Sequence, residues 1–205
     1  INTEEGYTFA AAMRSLLRQN PNVIMIGEIR DSETAKIAIE ASTTGHLVLS
    51  TIHANSAAGA ISRFSGLGVE RQLLANSLNC SIGQRLVRRV CPHCKEEAAV
   101  PPEYRDEVDK VLARMRQVQG LDIPATVKFY QGKGCQECSG LGYKGRVGLY
   151  EVIEGLPDIQ KLIQNKQATD YEIEQAAVGL GTVLMLQDGV LKALNGETTI
   201  EEVFR

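Results

Sequence analysis

Apolar residues fall at helical spacing in 8–18, where Phe9, Met13, Leu16 and Leu17 stand at i, i+4, i+7 and i+8 and predict a helix with one apolar stripe. Asn20-Pro21 ends it, because the residue before a proline avoids the helical region. The pattern then changes. Val23 to Ile26 is an unbroken apolar run, which predicts a strand covered on both faces. That run leads straight into Gly27 and the acid Glu28. Asp31 is placed to N-cap a helix over 32–42, in which Ile37, Ala38 and Ala41 share a face and which Gly45 closes. Leu47 to His53 reads as a second strand, apolar at its start and polar at its end. Alternating helix and strand predict an α/β domain with a parallel sheet.

A short helix is expected over 56–65, closed by the Gly66 and Gly68 turn. Leu73, Leu74, Leu78, Ile82 and Leu86 keep helical spacing, so one long helix is expected over 70–90. Cys80 would sit on it as a small buried apolar residue. Arg85, Arg88 and Arg89 would form a basic patch at its C-terminal end, complementing the helix dipole or facing an anionic partner. From Cys91 to Cys138 the chain turns loop-rich. One helix is expected there, starting near Pro101-Pro102 with Val108, Val111, Leu112, Met115 and Val118 on one side. A Gly-rich turn precedes an expected strand at 146–153, and the tail is helical. Thr169-x-x-Glu172 and Thr199-x-x-Glu202 both have capping-box spacing. The composition shifts divide the chain into 1–90, 91–145 and 146–205.

Length and charge narrow the class. The 205 residues suffice for one or two domains, and 43% hydrophobic content supports a core. The net charge of −3, the absence of Trp and the 5% aromatic content argue against a nucleic-acid surface. No apolar run approaches the roughly 20 residues of a membrane-spanning helix, and no signal peptide is visible. The chain starts at Ile1 inside what reads as a folded segment, so a longer parent protein is expected.

Of the five cysteines, Cys91-x-x-Cys94 and Cys135-x-x-Cys138 form two knuckles, which together offer four thiolates in the tetrahedral set that zinc accepts. A structural zinc ion is the reading, with a redox-active C-x-x-C as the alternative. Such a closed site leaves no open position for catalysis. The helix near 103–118 would fill the gap between the pairs as an insertion. His93, between two of the ligands, is read as exposed, with replacement of one thiolate as the alternative.

In a parallel sheet the ligand site lies beyond the C-terminal strand ends. Glu28 sits at such an end, and Ser50, Thr51 and His53 sit at the other if the strands are parallel neighbours. A glutamate there can orient or deprotonate a water, and a histidine can bond a phosphate oxygen. On these residues alone a helix-capping acid and a structural histidine are the commoner readings, and the functional one stays open beside them.

The segment NPNVIMIGEIRDSETAKIAIEASTTGHLVLSTIHAN resembles the ATPases of type II secretion and type IV pilus assembly. The resemblance continues through 56-SAAGAISRF-64, 83-GQRLVRRVCPHC-94 and 134-GCQECSGLGYKGRVGLYEV-152. It implies a RecA-like core in 1–90, a tetracysteine zinc module in 91–145 and a C-terminal strand and helical subdomain in 146–205. It also implies a hexamer that hydrolyses ATP with Mg²⁺ to drive secretion or pilus assembly. Glu28 corresponds to the Walker B glutamate and His53 to the His-box histidine, while Gly27 stands where many P-loop enzymes have an aspartate that helps hold Mg²⁺. Arg14 and Arg18 are candidates for an intersubunit nucleotide contact. The implied partners are an inner-membrane platform protein and a membrane-recruiting protein, at the cytoplasmic face of the inner membrane, with no nucleic acid. No G-x-x-x-x-G-K-[ST] occurs in these residues. The half of the site that grips the phosphates is therefore expected upstream, and this piece alone is expected to be inactive. The rival class is a zinc-ribbon module that binds nucleic acid or protein.

Overall fold

Two four-residue strands with matched apolar ends seed the first part of the structure, a computed structural model that describes residues 8–116, 121, 123–124 and 126–205. The chain divides into two compact units. One comprises the chain up to Ser81 with Ile153–Ala177, the other Ile82–Val152 with Val178–Arg205.

In the first unit, α1 (Phe9–Leu17) is capped by the Thr8 hydroxyl, which accepts from Ala11 N–H. The strands β1 (Val23–Ile26) and β2 (Leu47–Ser50) pair in parallel, with Val23 opposite Leu47 and Ile26 opposite Ser50. The crossover between them is α2 (Ser32–Thr43), capped by Asp31 as expected and burying Ile37, Ala38 and Ala41. Then come α3 (Ala57–Gly66), whose N-cap is Ser56, and α4 (Arg71–Ser77). The expectation of a strand covered on both faces does not hold for β1. Ile24 and Ile26 are buried, but Val23 is 53% and Met25 66% exposed. Side chains alternate across a pleat, and among the described residues only the face carrying Ile24 and Ile26 is covered, so the apolar run here reflects strand propensity as well as burial.

The long helix expected over 70–90 is corrected. Helix α4 stops at Ser77, Leu78 is extended, and the chain continues as β3 (Cys80–Val90). The leucine spacing misleads because Ile82 and Leu86 are exposed, at 60% and 54%. The buried positions of β3 are Ser81, Gly83, Val87 and Val90, and the first two are too polar or too small to signal a strand core. Gly83 must be small: a Cβ there would lie 2.7 Å from a carboxylate oxygen of Glu151. Cys80 is accordingly exposed rather than buried, and Arg85, Arg88 and Arg89 lie on a strand, with no helix dipole to complement.

In the second unit, β4 (Lys95–Ala98) runs antiparallel to β5 (Phe129–Gly132). Between them, α5 (Arg105–Met115) follows a 3₁₀ turn at Pro102–Tyr104 and buries Val108, Val111, Leu112 and Met115. Val118 lies outside the described residues. The strand β6 (Tyr143–Glu154) pairs with β3. The chain then adds α6 (Pro157–Gln164) and α7 (Asp170–Gly179) to the first unit's core, where Leu74, Ile61, Ile159, Ile163 and Ile173 are fully buried. It returns to the second unit with α8 (Met185–Leu194) and α9 (Ile200–Phe204), and Val190 and Ala193 of α8 pack with the apolar side of α5.

The two capping boxes differ. Thr169 N–H donates to Glu172 at 2.8 Å while Glu172 N–H donates back to the Thr169 hydroxyl at 3.3 Å. At the second box only the hydroxyl half forms, from Glu202 N–H to Thr199. The Glu202 carboxylate, 6% exposed, instead accepts from Arg88 N–H at 2.9 Å and from the Arg88 guanidinium at 2.7 Å. That guanidinium also lies 4.1 Å over the Tyr143 ring, so one arginine ties β3, β6 and α9 together.

Arg88 bonds hold the Glu202 carboxyl below its ordinary 4.5, against the opposing effect of burial. A depressed folded value gives stability that is complete above the unfolded value and is lost as pH falls through the folded one. Arg88→Met should therefore destabilise by about 2 kcal/mol at neutral pH, less than a fully buried pair because half of Arg88 meets water. Urea denaturation across pH should also show a shallower acid loss in the variant than in wild type.

Candidate active site and metal centre

Beyond Ile26 and Ser50 the two parallel strands stop pairing as strands, yet their tips stay clasped. The Thr51 hydroxyl donates to Gly27 O at 2.6 Å, and Ile29 N–H donates to Thr51 O at 2.9 Å. Ile29 is buried at 3%. Two residues later Asp31 accepts from the Thr34 N–H and hydroxyl, both at 2.8 Å, which fixes the start of α2. The segment from Gly27 to Asp31 is thus held at both ends. Glu28 and Arg30, flanking the inward Ile29, emerge on one side.

The second strand is shorter than expected, ending at Ser50, so His53 stands in the loop after it. The structure nonetheless brings His53 to Glu28, with Nε2 3.2 Å from Oε2. Arg30 Nε lies 2.7 Å from that same oxygen. All three groups meet water: the His53 side chain is 85% exposed, Arg30 72% and Glu28 31%. The Glu28 carboxyl lies below its ordinary value, first because Arg30 donates to it and to a lesser degree because of His53. It is therefore an ionised acceptor at neutral pH, able to orient a water but weak as a base. Arg14 instead pairs with Glu33 on α2 at 2.6 Å, and Arg18 is exposed at the C-cap of α1. Neither makes a polar contact with Glu28 or His53. Sequence reasoning placed Thr51 at the strand end but gave neither it nor Arg30 a role. The alternation of Glu28, Ile29 and Arg30, polar–apolar–polar, was the available sign that the acid and the arginine share a side.

The four knuckle cysteines converge in the second unit, with all their sulfur atoms within 4.8 Å of one another. Cys91 and Cys135 Sγ are 3.9 Å apart, Cys94 and Cys138 3.8 Å, and Cys135 and Cys138 3.7 Å. A tetrahedron with metal–sulfur bonds of about 2.3 Å has edges of roughly 3.8 Å, so the set fits a metal ion. The β4–β5 ladder closes the long gap by pairing Lys95, next to Cys94, with Gly132. Backbone N–H groups of Cys135 and Gly142 each lie 3.2 Å from Cys138 Sγ. These donors, the Cys135 N–H first, pull the Cys138 thiol down to about 6, whereas desolvation pushes Cys94 up to about 12. His93 is exposed and outside the cluster. Crowding around the knuckles demands glycine twice: a Cβ on Gly132 would fall 1.9 Å from Gly142 O, and Gly142 itself has φ +75°.

The whole chain, residues 1–205, matches the family described as type II/IV secretion system protein. The type IV pilus assembly ATPase PilB of Thermus thermophilus is 45% identical over 204 residues, 99% of this chain and 22% of that protein. PilB of Pseudomonas aeruginosa is 43% identical over 205 residues, covering 34% of its length. The type II secretion system protein E of the same organism is also 43% identical, with 38% of it covered. The chain therefore spans well under half the length of these curated relatives. Among solved structures, the Legionella pneumophila ATPase DotB superposes with a TM-score of 0.63 at 20% identity, over 96% of this chain and 41% of that one. The pilus retraction motor PilT with bound ADP gives 0.61 at 25%, over 96% and 42%. The fold is accordingly a RecA-like α/β core with a potential four-cysteine metal site and a helical C-terminal part.

Gly132→Ala should prevent closure of the knuckles. Competition with a chelator on the purified chain is expected to strip metal from the variant at least tenfold faster than from wild type, whereas Ala98→Gly on the same ladder should leave retention unchanged.

Proposed function

This chain belongs to the type II/IV secretion system protein family, and from that premise we propose that it is part of a hexameric motor ATPase whose hydrolysis of ATP powers protein secretion or type IV pilus assembly. The observation that carries the reading is the meeting of Glu28 and His53 at the clasped tips of two parallel strands, where α/β sheets place their ligands. Glu28 orients the attacking water and receives its proton. His53 donates Nε2–H to a terminal phosphate oxygen. Phosphoryl transfer to water asks mainly for positioning and charge stabilisation, which suits an exposed pair on a rigid loop. ATP and Mg²⁺ supply the reacting phosphate and its neutralising charge. Gly27 offers no carboxylate to the ion, which would therefore depend more on phosphate oxygens, water and the P-loop hydroxyl. Arg14 and Arg18 would approach nucleotide from a neighbouring subunit.

Zinc is the metal that four thiolates in a closed tetrahedron favour. Cys91, Cys94, Cys135 and Cys138 would hold it as a clamp on a loop-rich segment, with no part in catalysis. The partners of this reading are further copies of the chain, an inner-membrane platform protein and a membrane-recruiting protein, at the cytoplasmic face of the inner membrane. The 205 residues carry no G-x-x-x-x-G-K-[ST], so the piece alone should neither turn over ATP nor bind it at micromolar concentration in calorimetry.

Two measurements check this. In the full-length enzyme Glu28→Gln should lower kcat by roughly 10²–10⁴, and turnover within about tenfold of wild type would remove the catalytic assignment. Plasma emission on protein purified without chelator should give about one zinc per chain, and a value near zero would remove the clamp.

A further inference from the structure

The four knuckle cysteines do not share exposure and contact equally. Cys91 and Cys138 are buried, at 0% and 5% exposure, whereas Cys94 and Cys135 are half-buried and meet solvent. The two C-x-x-C pairs also close differently. Cys135 caps the 3₁₀ turn Gln136–Cys138, and that turn folds Cys138 Sγ back over Cys135 itself. Cys135 N–H lies 3.2 Å from the Cys138 sulfur, Cys135 O 3.4 Å and Cys135 Sγ 3.7 Å. Cys91 and Cys94 instead find close sulfur neighbours on the other knuckle, Cys135 at 3.9 Å and Cys138 at 3.8 Å. Around the second knuckle Gln136, Glu137, Ser139 and Gly140 are exposed, so Cys135 is approached from its own turn. The knuckles are also tied through backbone. Cys91 N–H donates to Gly142 O at 2.9 Å, and Lys133 N–H donates to Cys94 O at 3.0 Å.

We propose that the Cys135–Cys138 turn is a reversible oxidation site, at which a peroxide converts two metal-holding thiolates into a disulfide and so releases the metal. The proposal rests on the zinc clamp described above. The thiolate is the reactive form of cysteine, and a cysteine that ligates zinc is a thiolate. Cys135 Sγ attacks one peroxide oxygen, the O–O bond breaks and hydroxide leaves, giving a sulfenic acid on Cys135. Cys138 Sγ then attacks the Cys135 sulfur, the S–O bond breaks and a second hydroxide leaves. Two electrons pass from the two thiolates to the peroxide. Accessibility assigns the first step to Cys135, and burial against Cys135 makes Cys138 the resolving sulfur. Cys91 and Cys94 then supply only half of a tetrahedron and no longer retain the metal. The backbone bonds between the knuckles do not involve sulfur, so they persist in the oxidised chain. A reductant that reopens the disulfide therefore restores a set ready to bind again.

The test is treatment of the 205-residue chain, purified without chelator, with micromolar hydrogen peroxide. Zinc should pass to a chromogenic dye at about one ion per disulfide formed. The thiols are then alkylated and the chain is cut with trypsin. Peptide 134–144, which holds Cys135 and Cys138, should resist alkylation until it is reduced, while 90–95, which holds Cys91 and Cys94, should be alkylated at both. Exposed Cys80 falls in 72–85 and is read separately. A phosphine reductant with added zinc should return the metal content to its starting value. Zinc retained under peroxide, or released while 134–144 alkylates freely, overturns the proposal and leaves the clamp reading intact. A disulfide joining 90–95 to 134–144 overturns it as well, and so does metal that fails to return after reduction. Protein without zinc before peroxide is added overturns the clamp reading itself.

Discussion

The Thr51 clasp is the constraint on which the candidate site depends. Two parallel strands of four residues offer few ladder bonds, and their tips would fray without support. One hydroxyl bond to Gly27 O and one backbone bond from Ile29 carry the pairing past both strand ends. Burial of Ile29 and the Asp31 cap then hold the far side of the loop. A carboxylate, an imidazole and a guanidinium are thereby gathered around one oxygen, although none of them is buried. Rigidity at this exposed site comes from the backbone below it, which is what a positioning mechanism requires.

The second unit solves a different problem. Its cysteine-bearing turns have little apolar surface, and close backbone approach at Gly132 and Gly142 replaces side-chain packing. The four sulfurs already stand at tetrahedral spacing, so an ion would meet a preorganised set with little ordering left to do. Elsewhere in that unit a single arginine does similar joining through Glu202 and Tyr143. Both devices cross-link strands whose intervening residues are too short or too polar to form a deep core.

Legibility followed the strength of the local signal. Asp31 caps α2 as its position before the helix predicts, and the described stripe of α5 is buried as its spacing predicts. The C-x-x-C pairs announced their chemistry without any knowledge of the fold. The failure at 70–90 has a physical cause. Leucines at helical spacing in that stretch face water in β3, while the residues that do face inward include a serine and a glycine, which carry no hydrophobic signal. The lost half of the second capping box has a related cause, since a distant arginine outbids a local N–H for Glu202. Pairing of Glu28 with His53 was legible only once the strands were taken as parallel neighbours. The Arg30 contact depends on which nearby acids are already engaged, and that is settled by tertiary structure.

On the proposed function, the clasped strand tips hold Glu28 and His53 against the terminal phosphate of ATP. A structure of the assembled full-length enzyme with Mg²⁺ and a non-hydrolysable ATP analogue tests it most directly. The expected result is an ordered water in line with the γ-phosphorus within about 2.6–3.2 Å of the Glu28 carboxylate, and His53 Nε2 at hydrogen-bond distance from a γ-phosphate oxygen. A γ-phosphate whose water is held by other side chains, with Glu28 and His53 turned away from it, would remove both residues from the chemistry.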